Sequence, residues 1–474
     1  MLRHQQLRYV KSCNASVPAL ARSAPSAASS AAHIDTARTP SRGPSPLFSS
    51  RQISRHRCSH VTASSAAAEL PVPSSSAGSS SFSQAVLNVV NVMMGVGLLS
   101  LPFALKSSGW IGIALLWFMG IVTNYTGKAL VECANAVASN KGQPGSVVGY
   151  EEIAEASFGP LGKALVSAII YVELFGTCCL LFILEGDNMY SLLGNMLASS
   201  ASQYMLIAAA IMIPTVWLPD LSALSFLGVF GVTATTTVVA SVLYTLVTGN
   251  FTAGALTHNA LPATLPLVFG IMTFCYSGHG VFPAIQASMK EPQLFPKVLN
   301  VAFFLVAFLC TFIAAAGYYM YGAGAADIVI FNLPTLLATA CSCLVLINPV
   351  AKFALTMEPV AAAANVAAGA GRPLTGLPRL AVRTALSLAI LMAARSLPFL
   401  AHLMALVGSF MTISVSVTLP ALCHLILLKG KLGTAKVLWN WFVVLLGVTC
   451  TVAGTTASMR SLAAKASAVA VGAA

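Results

Sequence analysis

Eleven apolar stretches follow one another between residues 84 and 458, and this succession constrains the fold more than any single motif. A helix needs about 20 predominantly apolar residues to cross a bilayer core. On that measure the spans run 84–106, 110–133, 162–185, 203–218, 222–247, 264–289, 298–321, 334–357, 379–395, 398–428 and 436–458. Arg383 interrupts the ninth, and Arg395 to Pro398 marks the turn before the tenth. Soluble chains carry about 25% charged residues. Only 8% are charged here and 57% are hydrophobic, so no ordinary water-facing surface can be built. The expected fold class is an all-α polytopic membrane protein with about 11 transmembrane helices.

The first 82 residues differ in kind. They hold nine Lys and Arg against two acids and 20 Ser, with almost no aromatics. Such a segment buries too little apolar surface to fold. It reads as a disordered basic Ser/Ala-rich tail or as a transit peptide, for which an Arg- and Ser-rich, acid-poor leader is characteristic. Val61-Thr62-Ala63 faintly resembles a plastid processing site, and the absence of an early apolar run argues against a secretory signal. The division is therefore 1–82 tail, 83–458 transmembrane domain and 459–474 short C-terminal tail. Two locations stay open, a vacuolar or other endomembrane and the plastid envelope.

With the tail in the cytosol, nine Lys and Arg fall in loops on its side, Lys141, Lys290 and Lys429 among them. Only Lys106, Arg395, Arg460 and Lys465 fall on the other. That asymmetry follows the positive-inside rule. It places the sequon Asn250-Phe251-Thr252 on the outer or luminal side. The 11 cysteines include no CxxC pair, and most lie within apolar runs, where free Cys acts as a small apolar packer. No metal site and no cofactor are expected.

Two spans carry residues that a plain helix avoids. "NVMMGVGLLSLPFAL", Asn91 to Leu105, holds Gly95, Gly97 and then Pro102. "SGHGVFPAIQASM", Ser277 to Met289, holds Gly278, Gly280 and then Pro283. Gly costs about 1 kcal/mol and Pro about 3 kcal/mol in a helix interior relative to Ala. One stretch lies in the first span and the other in the sixth, corresponding places in two five-helix halves. Interrupted helices so placed mark a transporter binding site. Unpaired backbone groups cost several kcal/mol in hydrocarbon, so irregular backbone survives only where something satisfies it. Free N–H groups at the start of a half-helix suit a carboxylate. Carbonyls freed at the end of the preceding half suit an ammonium or a cation. A zwitterionic amino acid offers both partners.

At these residues the chain resembles the amino acid/auxin permease family, and within it the vesicular and vacuolar amino acid transporters. The block "FCYSGHGVFPAIQASMKEPQLFPKVL", Phe274 to Leu299, is similar to that family's sixth-helix signature, and "GVGLLSLPFALKSSGW" to its first-helix pattern. "YVELFGTCCLLFILEGDN", "NPVAKFALTMEPV" and "LVGSFMTISVSVTLP" extend the likeness over about residues 83–458. The resemblance implies a five-plus-five inverted repeat of the bacterial leucine transporter type plus an eleventh helix. It also implies amino acid transport, coupled to protons or in some members to sodium.

Helices 1 and 6 then form the centre of the site. Gly95, Val96 and Gly97 present backbone to the substrate, and Asn91 lies one turn earlier. Thr273, Phe274, Ser277 and Gly278 complete the pocket from helix 6, although Asn91 and Thr273 are equally suited to bonding between helices. His279 sits in the second break and titrates near neutrality when unperturbed, so it is a proton-coupling candidate. It is equally suited to fixing the loop as a neutral hydrogen-bonding residue. Glu173, inside helix 3, is the other candidate, because an intramembrane acid is functional by default. Its alternative is to cap an unpaired group on a neighbouring helix. Glu185 and Asp187 are expected to be solvated or gating residues at the membrane edge, and His402 and His424 to pack or line interfaces.

The function expected is secondary active transport of neutral amino acids with protons, with sodium coupling or a non-transporting amino acid sensor as the alternatives. An enzyme would need paired acids, a His-rich cluster or an activated nucleophile within the spans, and none is present. No GxxxxGK[ST] loop supports ATP-driven pumping. The partners expected are the amino acid and the lipid bilayer, with no nucleic acid and a monomeric transport unit.

Overall fold

A computed structural model describes residues 80–142, 148–218, 228–256, 264–397 and 399–472, all of it helical or loop apart from one isolated bridge. The residues before 80, including the proposed processing site, lie outside the described residues. The helices are α1 Phe82–Met93, α2 Val96–Leu99, α3 Leu101–Ser108, α4 Ile111–Asn140, α5 Tyr150–Leu193, α6 Ala201–Met212, α7 Gly228–Thr248 and α8 Leu265–Phe274. They continue with α9 Phe282–Ala287, α10 Phe295–Tyr321, α11 Thr335–Val345, α12 Ile347–Ala368, α13 Gly376–Ser396, α14 Leu400–Val407, α15 Leu419–Leu427 and α16 Thr434–Gly472.

Local chemistry sets where these helices begin and break. α1 opens on a capping box, in which the Ser81 hydroxyl accepts from Gln84 N–H and the Gln84 side chain accepts from Ser81 N–H. Its apolar residues Ala85, Val86, Val89 and Met93 recur at helical spacing and are buried together. α5 is two helices end to end. Gly159 takes φ 75°, a left-handed conformation that an L side chain resists, and Pro160 follows it as the start of the longer apolar half.

Among the described residues, seven helices are long and apolar enough to cross a membrane, and three apolar helices are shorter. Two expected spans are interrupted: 84–106 is split among α1, α2 and α3, and 264–289, which is one of the seven, between α8 and α9. α16 continues helically through residues 459–472, the segment read as a short tail. Glu185 departs from expectation. α5 runs two turns beyond it, so the side chain is only 1% exposed and neither carboxylate oxygen has a hydrogen-bond partner among the described residues.

The core is built where helices approach closely. α8 packs on α14 almost backbone to backbone: a Cβ on Gly270 would lie 2.2 Å from the Ala405 carbonyl oxygen, and one on Gly408 2.0 Å from the Gly270 carbonyl oxygen. Small residues permit such contacts between membrane helices, where lipid supplies no hydrophobic drive. α10 packs against α1, α3 and α4, α12 packs against α5, and α8 also meets α16. The outer face of α16 shows Leu438, Trp441, Leu445, Val448 and Val452 to the surroundings, an apolar stripe that suits lipid. A short parallel bridge joins Ser80 to Met289, so the chain entering α1 is tied to the segment leaving α9.

Candidate functional site

The first break begins where α1 ends. Met94 N–H closes on the Val90 carbonyl at 2.7 Å, Met94 then turns to ψ 103°, and Gly95 is extended at φ −147° and ψ −147°. Helix resumes at Val96, and the backbone N–H groups of Gly95, Val96 and Gly97 find no partner among the described residues. Pro102 lies in the first turn of α3, where its missing N–H removes no helical bond.

The second break has the same logic. α8 stops at Phe274, and the N–H groups of Tyr276 and Ser277 fold back onto the Thr273 and Phe274 carbonyls at 2.9 and 3.2 Å. A 3₁₀ turn over His279–Val281 leads into α9, whose first turn holds Pro283. The N–H groups of Gly278 and His279 have no backbone partner among the described residues.

These two breaks touch. A Cβ on Gly97 would lie 2.8 Å from Cys275 Sγ, 3.4 Å from Cys275 Cα and 3.4 Å from the Phe274 ring. Glycine is needed at 97 for that approach rather than for an unusual dihedral. A Cβ on Gly278 would stand 3.2 Å from Val92 of α1.

Glu173 joins the second break to helix 10. Its Oε1 accepts from Ser277 Oγ at 3.0 Å and from Thr412 Oγ1 at 2.7 Å, with the side chain buried. Thr412 closes the stretch Gly408–Thr412, which is wound as π-helix, a distortion that recurs at functional sites. Both readings of Glu173 keep a structural basis. It caps hydroxyls on two neighbouring elements, and it is a buried acid beside the break.

His279 is 1% exposed and anchors the break from the opposite side. Its Nε2 lies 3.0 Å from the Thr123 carbonyl oxygen. A carbonyl only accepts, so Nε2 carries the proton in this arrangement. Thr126 Oγ1 stands 3.2 Å from the same nitrogen and donates to the Ser416 carbonyl at 2.6 Å. The imidazole thus ties the loop to α4 and, through Thr126, to helix 10. Its Nδ1 is buried, with no hydrogen-bond partner among the described residues.

The remaining expected residues divide. Phe274 is half-buried against Gly97, at the meeting of the breaks. Thr273 is wholly buried and its hydroxyl donates to the Phe269 carbonyl of its own helix at 2.7 Å. Asn91 is half-buried on α1 and makes no side-chain hydrogen bond among the described residues. His402 lies between the rings of Phe103 and Phe399, at 5.8 and 6.4 Å. His424 pairs with Glu132 at 3.0 Å and contacts Asn440, joining α15 to α4 and α16. Among the described residues, no group of three or more His, Cys, Asp or Glu is placed to hold a metal ion.

Two participants escaped the sequence reading. Thr412 sits among many hydroxyls in "SFMTISVSVTLP", and nothing in that run marks it. Lys352 had a signal, because it is a lone cation within an apolar span. Its Nζ donates to the carbonyl of Met94, at the end of α1, across 3.3 Å. Arg383 is explained as well: it is buried, donates to the Val216 carbonyl at 2.8 Å, and pairs with Glu358 at 2.5 Å.

Comparison with known proteins adds to this geometry. The family described as transmembrane amino acid transporter protein matches residues 78–460. The chain is 33% identical to amino acid transporter AVT1B of Arabidopsis thaliana over 433 residues, which is 89% of this chain and 79% of that protein. It is 34% identical to AVT1D of the same plant over 413 residues, 83% of this chain and 72% of that one. In shape it is similar to MhsT, solved in complex with L-phenylalanine, with a TM-score of 0.49, 12% identity and coverage of 79% and 98% respectively. With most of its length matched by the family pattern and by relatives above 30% identity, the chain belongs to the transmembrane amino acid transporter family and is an integral multi-pass membrane protein.

Proposed function

We propose that this protein is a secondary active transporter that carries neutral amino acids together with protons across its membrane. The substrate sits between the two breaks, its carboxylate on the N–H groups of Gly95, Val96 and Gly97, with Phe274 beside its side chain. Eleven crossings arranged as two inverted five-helix halves plus one would let one bundle rock against the other around that fixed site.

One observation carries the reading: two unwound segments meet at Gly97 and Cys275, while the N–H groups of Gly95, Val96, Gly97, Gly278 and His279 have no backbone partner among the described residues. A buried donor without a partner is costly, and a small zwitterion satisfies it. The family membership and the names of the Arabidopsis relatives support amino acids as the cargo. Glu173 suits the coupled proton better than His279. Its carboxylate faces the break through Ser277, whereas the protonated nitrogen of His279 is already bonded to Thr123.

The test is uptake of labelled amino acids into proteoliposomes under an imposed pH gradient, with and without sodium, across a panel of side chains. Accumulation driven by the pH gradient alone is expected. Substrate that binds but never accumulates would overturn transport in favour of sensing, and uptake that strictly requires sodium would overturn proton coupling.

A further inference from the structure

Away from the two breaks, His424 is held between helix 2 and helix 11 by a network whose hydrogens can be counted. The imidazole is buried on α15, and its Nε2 lies 3.0 Å from Glu132 Oε2 of α4. An ionised carboxylate only accepts, so Nε2 carries a hydrogen. Nδ1 faces the Asn440 amide of α16, with Oδ1 at 3.3 Å and Nδ2 at 3.1 Å. Asn440 Nδ2 donates to the Lys436 carbonyl at 2.7 Å and to Tyr125 Oη at 2.9 Å. The Lys436 carbonyl accepts only, which identifies that amide atom as the nitrogen. Its two hydrogens are then committed, and none is left for Nδ1. Asn440 Oδ1, for its part, meets no other donor among the described residues. Both needs are met at once when Nδ1 also carries a hydrogen and donates it to Oδ1. The network is complete only with His424 as an imidazolium.

We propose that His424, Glu132 and Asn440 form a proton-binding site separate from the substrate site, a clasp that holds helix 11 on helices 2 and 10 while the imidazole is charged. Glu132 is exposed and gives the buried ring a route to water. Two more titratable groups face the cluster. The Tyr125 ring meets the imidazole edge-on at 6.4 Å, and Lys436 Nζ stands 3.7 Å from the same Glu132 oxygen. α5 and the stretch Ser414–Thr418 also pack on α15, and they bring no hydrogen bond or ion pair to His424 among the described residues. Loss of the Nδ1 proton leaves Asn440 Oδ1 without its donor and Glu132 without the charge opposite it. The clasp is therefore firmest with Glu132 ionised and His424 protonated, and it loosens as pH rises and the ring gives up its proton. The helices it joins also grip the breaks: α4 holds His279 through Thr123 and Thr126, and helix 10 holds Glu173 through Thr412. On the topology expected from the distribution of Lys and Arg, the clasp lies on the side of the N-terminal tail. The packing of these helices thus responds to pH on that side.

Native protein, His424→Gln and Glu132→Gln, purified full-length in detergent, test this. Melting temperature is read from acidic to alkaline pH, a span that includes the range where an imidazole ordinarily changes charge. The ring nitrogens are followed over the same span by NMR on protein made with isotope-labelled histidine, and the His424 signal is identified by its loss in His424→Gln. Native protein is expected to show both His424 nitrogens protonated at the acidic end and to melt lower as one proton leaves. His424→Gln keeps a donor toward Glu132 but cannot titrate. It should melt below native protein at the acidic end and show a smaller fall as pH rises. Glu132→Gln keeps an acceptor but removes the charge that favours the imidazolium, so the change at the ring and the fall in melting should move together to lower pH.

A His424 ring that keeps one charge state throughout the range overturns the proposal, as does a folded His424→Gln whose melting follows pH as native protein does. Deprotonation of the native ring with no change in melting also overturns it, because the clasp would then hold nothing. If His424→Gln does not fold, the His424 signal is identified by its displacement in Glu132→Gln, and an unmoved titration in that folded variant counts against the site. None of these readouts needs transport, so failure of the transport reading and failure of this one are separable.

Discussion

Glu173 Oε1 lies 2.7 Å from Thr412 Oγ1, although the two residues are 239 positions apart in the chain. The same oxygen accepts from Ser277, so a single carboxylate links helix 3, the break in helix 6 and the π-wound part of helix 10. Movement of any one of these elements must rearrange bonds made by the other two.

Glu173→Gln is therefore expected to fold and bind substrate, because the amide oxygen still accepts from both hydroxyls. It should lose the pH dependence of uptake, since a glutamine neither takes nor gives up a proton. Uptake rates in proteoliposomes from acidic to neutral pH check this, and an unchanged pH profile would remove Glu173 from proton coupling.

Thr412→Val keeps the shape of the side chain but withdraws one donor from a buried acid. A lost partner for such a group costs about 1–3 kcal/mol. Lower melting in detergent is expected. Combined with Glu173→Ala, which removes the acceptor, the loss should be less than the sum of the two single effects, because both act on one bond. Strict additivity would mean the contact is not energetically real.

His279→Gln tests whether the imidazole is an anchor. Glutamine can supply an N–H toward the Thr123 carbonyl, so uptake should survive with its pH profile intact. His279→Ala, which withdraws the imidazole from that carbonyl and from Thr126, should melt lower. A displaced pH profile in His279→Gln would instead place the coupled proton on this residue.

The contact between the breaks gives a paired experiment. Gly97→Ala sets a methyl against Cys275 Sγ, and overpacking of this kind costs about 1–3 kcal/mol. Reduced uptake is expected, with partial recovery in Gly97→Ala/Cys275→Ala, which leaves the nearest atoms 3.4 Å away. No recovery would indicate that Gly97 matters for a reason other than this approach.

Glycines elsewhere sort by what surrounds them. Gly270→Ala and Gly408→Ala meet backbone oxygens at 2.2 and 2.0 Å, which cannot swing aside as a side chain can. Both should lower the yield of monodisperse protein on size-exclusion chromatography. Gly280→Ala meets nothing within 4 Å and should express like the native chain. Equal tolerance at all three positions would contradict the tight packing of α8 on α14.

Much of this organisation is legible in the residues themselves. Apolar length and the scarcity of charge dictate membrane helices, because a bilayer rejects unpaired polar groups wherever they occur along the chain. Gly95, Gly97 and Pro102, and likewise Gly278, Gly280 and Pro283, mark the two breaks by local conformational cost, and the structure interrupts both helices there. Each of those features depends only on a residue and its near neighbours.

Tertiary structure alone decided which distant groups meet. That Glu173 would find Thr412, that Thr273 would spend its hydroxyl within its own helix, and that Lys352 would reach Met94 are outcomes of helix rotation and crossing. Such geometry arises from close packing among all the helices at once, and no window of the sequence contains it. The buried position of Glu185 has the same origin: hydropathy locates a residue along a helix axis, but only its neighbours determine which side it faces.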